Sequence, residues 1–219
     1  KPVVLTGAMR PATAISADGP LDLLNAVKTA ACRDACGKGV LVVMNDIIMA
    51  ARYATKTSAF KVEAFQAVPY GQLGTIAGGR VYFEAAISKC HTVNSIFADK
   101  NYTSLPRTDI IYTHCDDDGI LIEAAVNAGA QGIIYAGSGM GSIHCGAEAA
   151  LLKAVQRGAA VVRSTRVSEG RVLAANPKWD EAGFISGGNL NPQKARILLQ
   201  RALTYTHGTR NIKEFFDKY

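Results

Sequence analysis

The stretch Gly132-Ile133-Ile134-Tyr135-Ala136-Gly137-Ser138-Gly139-Met140-Gly141-Ser142 runs from a short apolar segment into a glycine-rich turn. The apolar part, 132–136, predicts a strand. A helical pattern follows over 147–156, and another apolar segment, 159–163, predicts the next strand. This succession of strand, helix and strand predicts an α/β unit with a right-handed crossover.

The same alternation extends from this stretch in both directions. Before it, 109–113 predicts a strand and 120–127 a helix. After it, Asn191-Pro192 opens a helix through Leu203, and 212–216 predicts a short terminal helix. Residues 107–219 are therefore expected to form one α/β domain.

The first part of the chain predicts a second, incomplete α/β domain over 1–84. Pro2 to Gly7 reads as a buried strand directly after Lys1, so we expect the chain to be a piece of a longer polypeptide. A helix is expected from Asp18, as its N-cap, to Gly37. Its expected apolar face consists of Leu21, Leu24, Val27 and Ala31.

Two further elements and a linker complete this part. The uniformly apolar run 40–44 is typical of a strand covered on both faces of a parallel sheet. Residues 73–83 predict a hairpin around Ala77-Gly78-Gly79. The polar stretch 85–106, which includes Asp99 and Lys100, is expected to link the two domains.

Composition narrows the class of protein. Of 219 residues, 48% are hydrophobic and 19% charged, which excludes a disordered, collagenous or coiled-coil chain. The formal net charge of +6 comes from basic residues scattered along the sequence, which disfavours nucleic acid as a partner. No apolar run reaches the roughly 20 residues that span a bilayer, so no membrane partner is expected.

Cysteine and histidine spacing predicts neither a disulfide framework nor a metal site. The five cysteines form no Cys-x-x-Cys pair, and the four histidines share no spacing typical of a metal site or a catalytic triad. Cys32 and Cys36 are expected to share a face of the first helix. The run Asp116-Asp117-Asp118 precedes a helix, so helix-terminus stabilisation is favoured over metal binding.

The glycine-rich turn, 137–142, allows two interpretations. It could simply reverse the chain, or it could present Ser142 and backbone N–H groups to a polar ligand. A nicotinamide or flavin site is disfavoured, because the third glycine falls one position early for Gly-x-Gly-x-x-Gly. Arg163-Ser164-Thr165-Arg166 also stands where an acidic residue would end the next strand.

Two threonine-containing segments are candidate sites of chemistry. In Thr55-Lys56-Thr57, a lysine whose ammonium is held by the flanking hydroxyls could transfer a proton to one of them. An ordinary surface lysine is the alternative. Thr75, before Ile76-Ala77-Gly78-Gly79, is expected to lie in the hairpin rather than to act as a nucleophile.

Several short motifs follow one another in order to the end of the chain. They are Gly7-Ala8-Met9-Arg10-Pro11, Ser16-Ala17-Asp18-Gly19-Pro20, Asn25-Ala26-Val27, Val42-Val43-Met44-Asn45-Asp46, Thr55-Lys56-Thr57, Tyr70-Gly71-Gln72-Leu73-Gly74, Val161-Val162-Arg163-Ser164 and Leu190-Asn191-Pro192-Gln193-Lys194-Ala195-Arg196. With these motifs in this order, the sequence resembles the bacterial-type (type II) L-asparaginases, including the glutaminase-asparaginases.

The resemblance implies a fold, an activity and partners. It implies a flavodoxin-like N-terminal domain, incomplete here, and a smaller Rossmann-like C-terminal domain, both with mainly parallel sheets. The implied activity is hydrolysis of L-asparagine, and also of L-glutamine in some members, by a homotetramer without metal or organic cofactor. The implied location is periplasmic or secreted, with cytoplasmic as the alternative. A non-catalytic relative that binds a small molecule or acts as a scaffold would keep the same packing motifs.

The resemblance also assigns three residues of this chain. Lys56 matches the lysine of the family's catalytic relay, which activates a hydroxyl and balances a nearby carboxylate. Ala8 falls in the segment whose backbone approaches the substrate amide. Ser142 matches the position that a neighbouring subunit contributes to the substrate's α-amino end.

The sequence departs from the family pattern in two respects. The family's segments that carry the nucleophilic threonine and the relay threonine and aspartate would lie upstream of Lys1, so this chain alone is expected to be inactive. Asn176-Pro177-Lys178 stands near the expected position of a cross-subunit glutamate. This difference affects the expected preference between asparagine and glutamine.

Overall fold

A computed structural model describes residues 1–98, 101–174 and 176–219. The chain divides into two compact units, Lys1–Ala98 (unit 1) and Asp99–Tyr219 (unit 2), which are described separately. Asp99 and Lys100, in the predicted linker, lie outside the described residues. The linker bounds remain a prediction.

Unit 1 contains one helix and two sheets. The helix, α1, covers Gly19–Ala31, and the strands are β1 (Val3–Leu5), β2 (Val40–Met44), β3 (Ile47–Ala50), β4 (Ala54–Lys56), β5 (Phe65–Ala67), β6 (Gly74–Ala77) and β7 (Arg80–Phe83). The larger sheet has the order β1-β2-β3-β6-β7, and β4 pairs with β5 separately. Only β1 and β2 are parallel within the described part of the larger sheet. This sheet is therefore mixed.

The hairpin prediction is confirmed. Strands β6 and β7 pair antiparallel, and Gly78 and Gly79 make the two-residue turn between them. Both glycines have positive φ, 55° and 73°, as a type I′ hairpin turn requires. Thr75 lies within β6, opposite Tyr82, and so belongs to the hairpin.

The predicted apolar face of α1 does not pack on the sheet of unit 1. The side chains of Leu21, Leu24 and Val27 are 52%, 49% and 59% exposed, and Ala31 is also exposed. The residues of α1 that are buried are Asp22, Asn25, Ala26 and Thr29. Spacing alone locates an apolar stripe, whereas the hydrogen-bond partners of the polar residues decide which face of α1 lies on this sheet.

Two further predictions in this part are wrong. Strand β1 forms as expected at the edge of the described sheet, but Val3 and Leu5, on one face of the strand, are 51% and 53% exposed. Helix α1 ends at Ala31, and a short 3-10 turn, Arg33–Ala35, follows. Cys32 and Cys36 flank that turn, so they do not share a helix face.

Unit 2 is an α/β unit with a parallel sheet, as predicted. Its strands are β8 (Thr108–Tyr112), β9 (Gly132–Gly137), β10 (Ala160–Thr165) and β11 (Ile185–Ser186), in the order β11-β10-β9-β8. Its helices are α2 (Ile120–Asn127), α3 (Cys145–Gln156), α4 (Pro177–Glu181), α5 (Pro192–Leu203) and α6 (Thr209–Lys218). All three pairings are parallel.

Helices cover both faces of the central strands of unit 2. All residues of β9 and β10 are buried, as expected for interior strands of a parallel sheet. Helices α2 and α3 share one apolar cluster with Ile133 and Val161. From α5, Leu199 approaches the backbone of Gly132 so closely that a Cβ there would lie 2.7 Å from Leu199 Cδ2. Helix α5 begins at Pro192, and the side chain of Asn191 caps it.

The parallel arrangement brings the carboxyl ends of the strands in unit 2 to one edge of the sheet. The glycine-rich turn follows β9 at this edge. Among the described residues, no helix is both long and apolar enough to cross a membrane.

Candidate active site

The Ala8 segment follows strand β1 at its carboxyl end. The hydroxyl of Thr6 donates to the carbonyl of Val43 in β2, 2.8 Å away, and anchors the start of this segment. Ala8 itself is exposed. Within residues 1–98, 101–174 and 176–219, no donor bonds to the carbonyl of Ala8. This carbonyl is therefore an acceptor that a ligand can use.

The carboxylate of Asp18 closes this segment into a loop. Its Oδ2 accepts from the backbone N–H of Met9 at 2.7 Å, and its Oδ1 accepts from that of Arg10 at 2.9 Å. The bond from Met9 is the main reason that the pKa of Asp18 lies below its ordinary value. We define residues 7–18 as the Ala8 loop.

Lys56 is the last residue of β4. It pairs with Phe65 of β5, and its ammonium lies 5.7 Å from the centroid of the Phe65 ring. The hydroxyl of Thr57 lies 3.1 Å from the carbonyl of Ala64, to which it donates. Within the described part of the chain, no hydrogen bond joins the ammonium to either flanking hydroxyl.

Of the two interpretations of Thr55-Lys56-Thr57, the exposed surface lysine agrees with this geometry, and the lysine held by the flanking hydroxyls does not. Successive side chains of a strand point to opposite faces, so immediate sequence neighbours are not in position to hold this ammonium. Lys56 is exposed and free to meet groups from elsewhere.

The Ala8 loop and strand β4 meet one small apolar cluster. Met9, next to Ala8, packs against this cluster, and so does Phe65, which lies beneath Lys56. The buried members of the cluster include Met44, at the carboxyl end of β2, and Met49. This packing places the Ala8 loop and Lys56 at the same end of unit 1.

The glycine-rich turn of unit 2 is a closed loop in which Ser142 is exposed. The backbone N–H of Ser142 donates to the carbonyl of Ser138 at 2.8 Å. A Cβ at Gly137 would clash with the carbonyl oxygen of Ser142, and one at Gly141 would lie 2.8 Å from that of Ser164. The turn thus reverses the chain tightly and also leaves the side chain of Ser142 exposed.

A buried arginine holds this turn from strand β10. Arg163 is 2% exposed, and its guanidinium donates to the carbonyls of Gly141 (3.2 Å), Met140 (3.3 Å) and Leu173 (3.2 Å). It also lies over the ring of Trp179, 4.6 Å from the centroid. Burial lowers the pKa of this guanidinium, and the nearby Asp180 opposes that shift.

Strand β10 fixes the rest of the turn as well. The hydroxyl of Thr165 donates to the carbonyl of Gly139 at 2.6 Å. The backbone N–H of Arg166 donates to the carbonyl of Gly137 at 2.9 Å. Together with Arg163, these contacts tie four of the turn's carbonyls to one strand and its extension.

A second buried network supports the residues that follow the turn. The hydroxyl of Tyr135 lies 2.8 Å from Oδ2 of Asp117 and 2.9 Å from the hydroxyl of Thr113. It accepts the backbone N–H of His144 at 3.3 Å. Burial is the main cause that raises the pKa of Tyr135, so the phenol stays protonated and donates to the carboxylate.

The prediction that the aspartate run stabilises a helix start is confirmed. Asp117 accepts from the N–H of Gly119, and Asp118 from that of Ile120, at 3.2 and 3.0 Å. Asp117 has the additional role of receiving Tyr135. Within the described ranges, no group of three or more His, Cys, Asp or Glu side chains is placed to hold a metal ion.

Both parts of the chain match one family of known proteins. Residues 1–89 match the family described as "Asparaginase, N-terminal", and residues 107–216 match "Glutaminase/Asparaginase C-terminal domain". The chain belongs to the asparaginase family. The family match agrees with the resemblance found in the motifs.

Individual members of the asparaginase family align over the whole chain. "L-asparaginase 2" of Bacillus subtilis (strain 168) is 48% identical over 219 residues, and this chain covers 58% of it. "L-asparaginase 2" of Escherichia coli (strain K12) is 42% identical over 221 residues, with 63% of it covered. "Glutaminase-asparaginase" of Pseudomonas fluorescens biotype A is 40% identical over 221 residues, with 61% covered. The chain thus spans about six tenths of these relatives.

A solved structure shows the same fold. The structure titled "Probable Cytoplasmic L-asparaginase from Campylobacter jejuni" has 45% sequence identity and a TM-score of 0.95, covering 100% of this chain and 72% of its own. Another asparaginase relative, from Haemophilus influenzae, is named "Probable L-asparaginase periplasmic" and is 44% identical. The family therefore includes members named for either compartment.

Sequence reasoning missed the two residues that hold the exposed loops. Asp18 looks like an ordinary helix cap, so nothing local indicates its contacts with Met9 and Arg10. Arg163 did carry a signal, because a charged residue at the end of a buried apolar strand needs polar partners. Its partners are carbonyls of the glycine-rich turn.

Proposed function

We propose that the protein to which this chain belongs hydrolyses the side-chain amide of L-asparagine to L-aspartate and ammonia. The observation that carries the proposal is that the Ala8 loop and Lys56 lie at one end of unit 1 in a chain 48% identical to an L-asparaginase. Relatives named glutaminase-asparaginase support L-glutamine as a second substrate.

The residues of this chain have distinct proposed roles in that reaction. The carbonyl of Ala8 accepts a hydrogen bond from the substrate's amide nitrogen. Lys56 helps to activate a threonine hydroxyl, supplied by a segment outside this chain, which attacks the amide carbon. Ammonia leaves after protonation, and water then hydrolyses the resulting ester. The exposed position of Lys56 supports this role, because its ammonium is available to groups from another segment.

Exposed apolar residues on unit 1 support the proposal that a further segment of the protein packs there. Four large apolar residues of α1 and two of β1 are each about half exposed: Leu21, Leu23, Leu24, Val27, Val3 and Leu5. The relatives extend well beyond the part that this chain covers. We propose that this additional segment covers the exposed face of unit 1 and carries the nucleophilic threonine.

The proposed assembly is a homotetramer in which Ser142 reaches the substrate site of a neighbouring subunit. Support comes from the exposed position of Ser142 on a turn whose carbonyls are held by β10. A serine hydroxyl at such a position can bond the α-amino end of an amino acid.

We also propose that the protein is exported, as the name of the relative from Haemophilus influenzae says of that protein. Fractionation of the source cells tests this. Recovery in the cytoplasmic fraction would contradict it.

Ammonia release by the full-length protein tests the activity. L-asparagine and L-glutamine are supplied separately, and ammonia is measured by a coupled assay. We expect release from L-asparagine, and no release from the 219-residue chain alone. A full-length protein that binds L-asparagine without releasing ammonia would instead be a non-catalytic relative.

A further inference from the structure

The residue at the start of helix α1 does not cap the helix with its side chain. Asp18 occupies the N-cap position, yet its carboxylate makes no cap hydrogen bond. Both of its oxygens instead accept backbone N–H groups of the Ala8 loop, nine and eight residues earlier. An aspartate at this position usually caps the helix with its side chain. Because Asp18 bonds a distant loop instead, its contacts point to a functional role.

We propose that Asp18 is the positioning residue that aims the carbonyl of Ala8 at the substrate amide. The inference rests on the proposed function. The N–H of Met9 and the carbonyl of Ala8 belong to one peptide group. In a trans peptide the two point in opposite directions. Because the N–H of Met9 points toward the carboxylate of Asp18, the carbonyl of Ala8 points away from Asp18.

The second hydrogen bond prevents this peptide from rotating. Asp18 holds the N–H of Arg10 as well as that of Met9, so two successive peptide groups are fixed. The guanidinium of Arg10 donates to the carbonyl of Ser16 at 2.8 Å, which adds another hydrogen bond within the Ala8 loop. Rotation of the Ala8 carbonyl would require breaking a short, charge-assisted hydrogen bond.

The methyl group of Ala8 also lies close to the first residue of α1. A Cβ built on Gly19, directly after Asp18, would lie 3.3 Å from Cβ of Ala8. The loop therefore rests on the first residue of α1. Two neighbouring residues, Asp18 and Gly19, therefore contact the segment around Ala8.

A carbonyl fixed in this way recognises an N–H donor. A carboxamide nitrogen has hydrogens to donate, whereas an ester oxygen at the same place has none. Asp18 should therefore matter for amide substrates and not for the corresponding ester. A residue needed only for folding would affect both substrates equally.

The test compares two substrates in the full-length protein. We expect Asp18→Asn, which presents an N–H donor in place of one acceptor oxygen, to lower kcat/KM for L-asparagine about tenfold to a hundredfold. For L-aspartate β-methyl ester, kcat/KM should stay within about twofold of the wild type. Asp34→Asn, the same change at an exposed aspartate of unit 1, is the matched control and should alter neither value.

A second variant perturbs the loop without touching the carboxylate. Gly19→Ala places a methyl group against Ala8 and should produce a smaller loss, again confined to L-asparagine. Hydrogen exchange at the amides of Met9 and Arg10 should be slow in the wild type and fast in Asp18→Asn. Slow exchange in that variant would overturn the proposal.

The outcomes separate this proposal from the proposed function. Equal losses on amide and ester, in a wild type that hydrolyses L-asparagine, would overturn the role of Asp18 and leave the function standing. A wild type that hydrolyses neither substrate would overturn both. A loss confined to the amide would support both.

Discussion

The guanidinium of Arg163 lies over the ring of Trp179, 4.6 Å from its centroid, and donates to three backbone carbonyls. Those carbonyls belong to the glycine-rich turn and to Leu173, so one buried side chain joins two irregular segments. The guanidinium suits this role because one side chain offers several N–H donors: Nε bonds Gly141, and Nη2 bonds Met140 and Leu173.

Replacing this guanidinium should destabilise unit 2. Arg163→Met removes the donors to the carbonyls of Gly141, Met140 and Leu173, the first of them buried, which should lower the free energy of unfolding by roughly 2–4 kcal/mol. Urea denaturation of the full-length protein measures this change.

The matched control for Arg163→Met is Arg157→Met, after helix α3. The guanidinium of Arg157 is exposed and donates to the side chain of Asn127. Its loss should cost less than about 1 kcal/mol. Equal losses of unfolding free energy in the two variants would show that the buried Arg163 stabilises the protein no more than the exposed Arg157 does.

A buried carboxylate in helix α1 should make stability depend on pH. Asp22 is 2% exposed, and its Oδ2 lacks a hydrogen-bond partner within the described residues. Its Oδ1 accepts from the N–H of Asn45. Burial is the main cause that raises the pKa of Asp22, and the charges of Asp18 and Asp46 add to it.

The sign of the effect follows from this raised pKa. The folded protein retains a proton on Asp22 at a pH where the unfolded chain has lost it, so stability falls as pH rises from the unfolded pKa to the folded one. Asp22→Asn removes that charge. It should therefore raise the urea midpoint at neutral pH, with the gain shrinking as pH falls toward the ordinary aspartate pKa. A gain independent of pH would contradict this explanation, and Asp34→Asn serves as the control.

Substitution of Lys56 tests its proposed catalytic role. In the full-length protein, Lys56→Met should lower kcat for L-asparagine by about a thousandfold or more, because a group that moves or stabilises a proton is lost. Lys61→Met, at another exposed lysine of unit 1, should leave kcat unchanged. Light scattering checks that each variant keeps its oligomeric state. Full activity in Lys56→Met would remove Lys56 from the mechanism.

Substitution of Ser142 should affect substrate binding more than turnover. Ser142→Ala should raise KM about tenfold with a smaller change in kcat, since one ground-state hydrogen bond is lost. Ser138→Ala, at an exposed serine of the same turn, is the control. A fall in kcat alone would count against the assignment.

Mixed subunits test whether Ser142 acts across an interface. Subunits carrying Lys56→Met are dissociated and reassociated with subunits carrying the bulky Ser142→Tyr. If Ser142 serves a neighbouring subunit's site, some mixed sites contain both wild-type residues, and activity should exceed that of either variant alone. Mixed assemblies that show only the average of the two activities would place Ser142 in its own subunit's site.

Sequence patterns predicted unit 2 better than unit 1. Strands β9 and β10 are continuous apolar runs within a regular alternation of strand and helix, and each is buried between helices, so local pattern and tertiary environment agree. In α1, the local apolar pattern and the tertiary environment disagree. The leucine stripe is exposed and Asp22 is buried, because partners such as Asn45 lie far along the chain.

The candidate site, too, was only partly predictable from the sequence. The motifs around Ala8 and Lys56 pointed to the family, and the family comparisons confirm that membership. The resemblance then assigned Ser142. The geometry around these residues could not be predicted from the sequence. Asp18 is expected to be a helix cap, and Thr55-Lys56-Thr57 left open whether the lysine is held by its neighbours or lies on the surface. In the folded chain, Asp18 holds Met9 instead, and Lys56 lies over Phe65.

The sequence by itself therefore determined the family, the alternation of elements in unit 2 and the hairpin of unit 1, because each depends on residue order or on local periodicity. Only the tertiary structure decided which face of α1 is buried, where Asp18 directs its carboxylate and what holds the glycine-rich turn. The physical reason is that a polar side chain bonds whichever donor or acceptor the fold brings within about 3 Å. For Asp18 and Arg163 those partners lie many residues away in the chain.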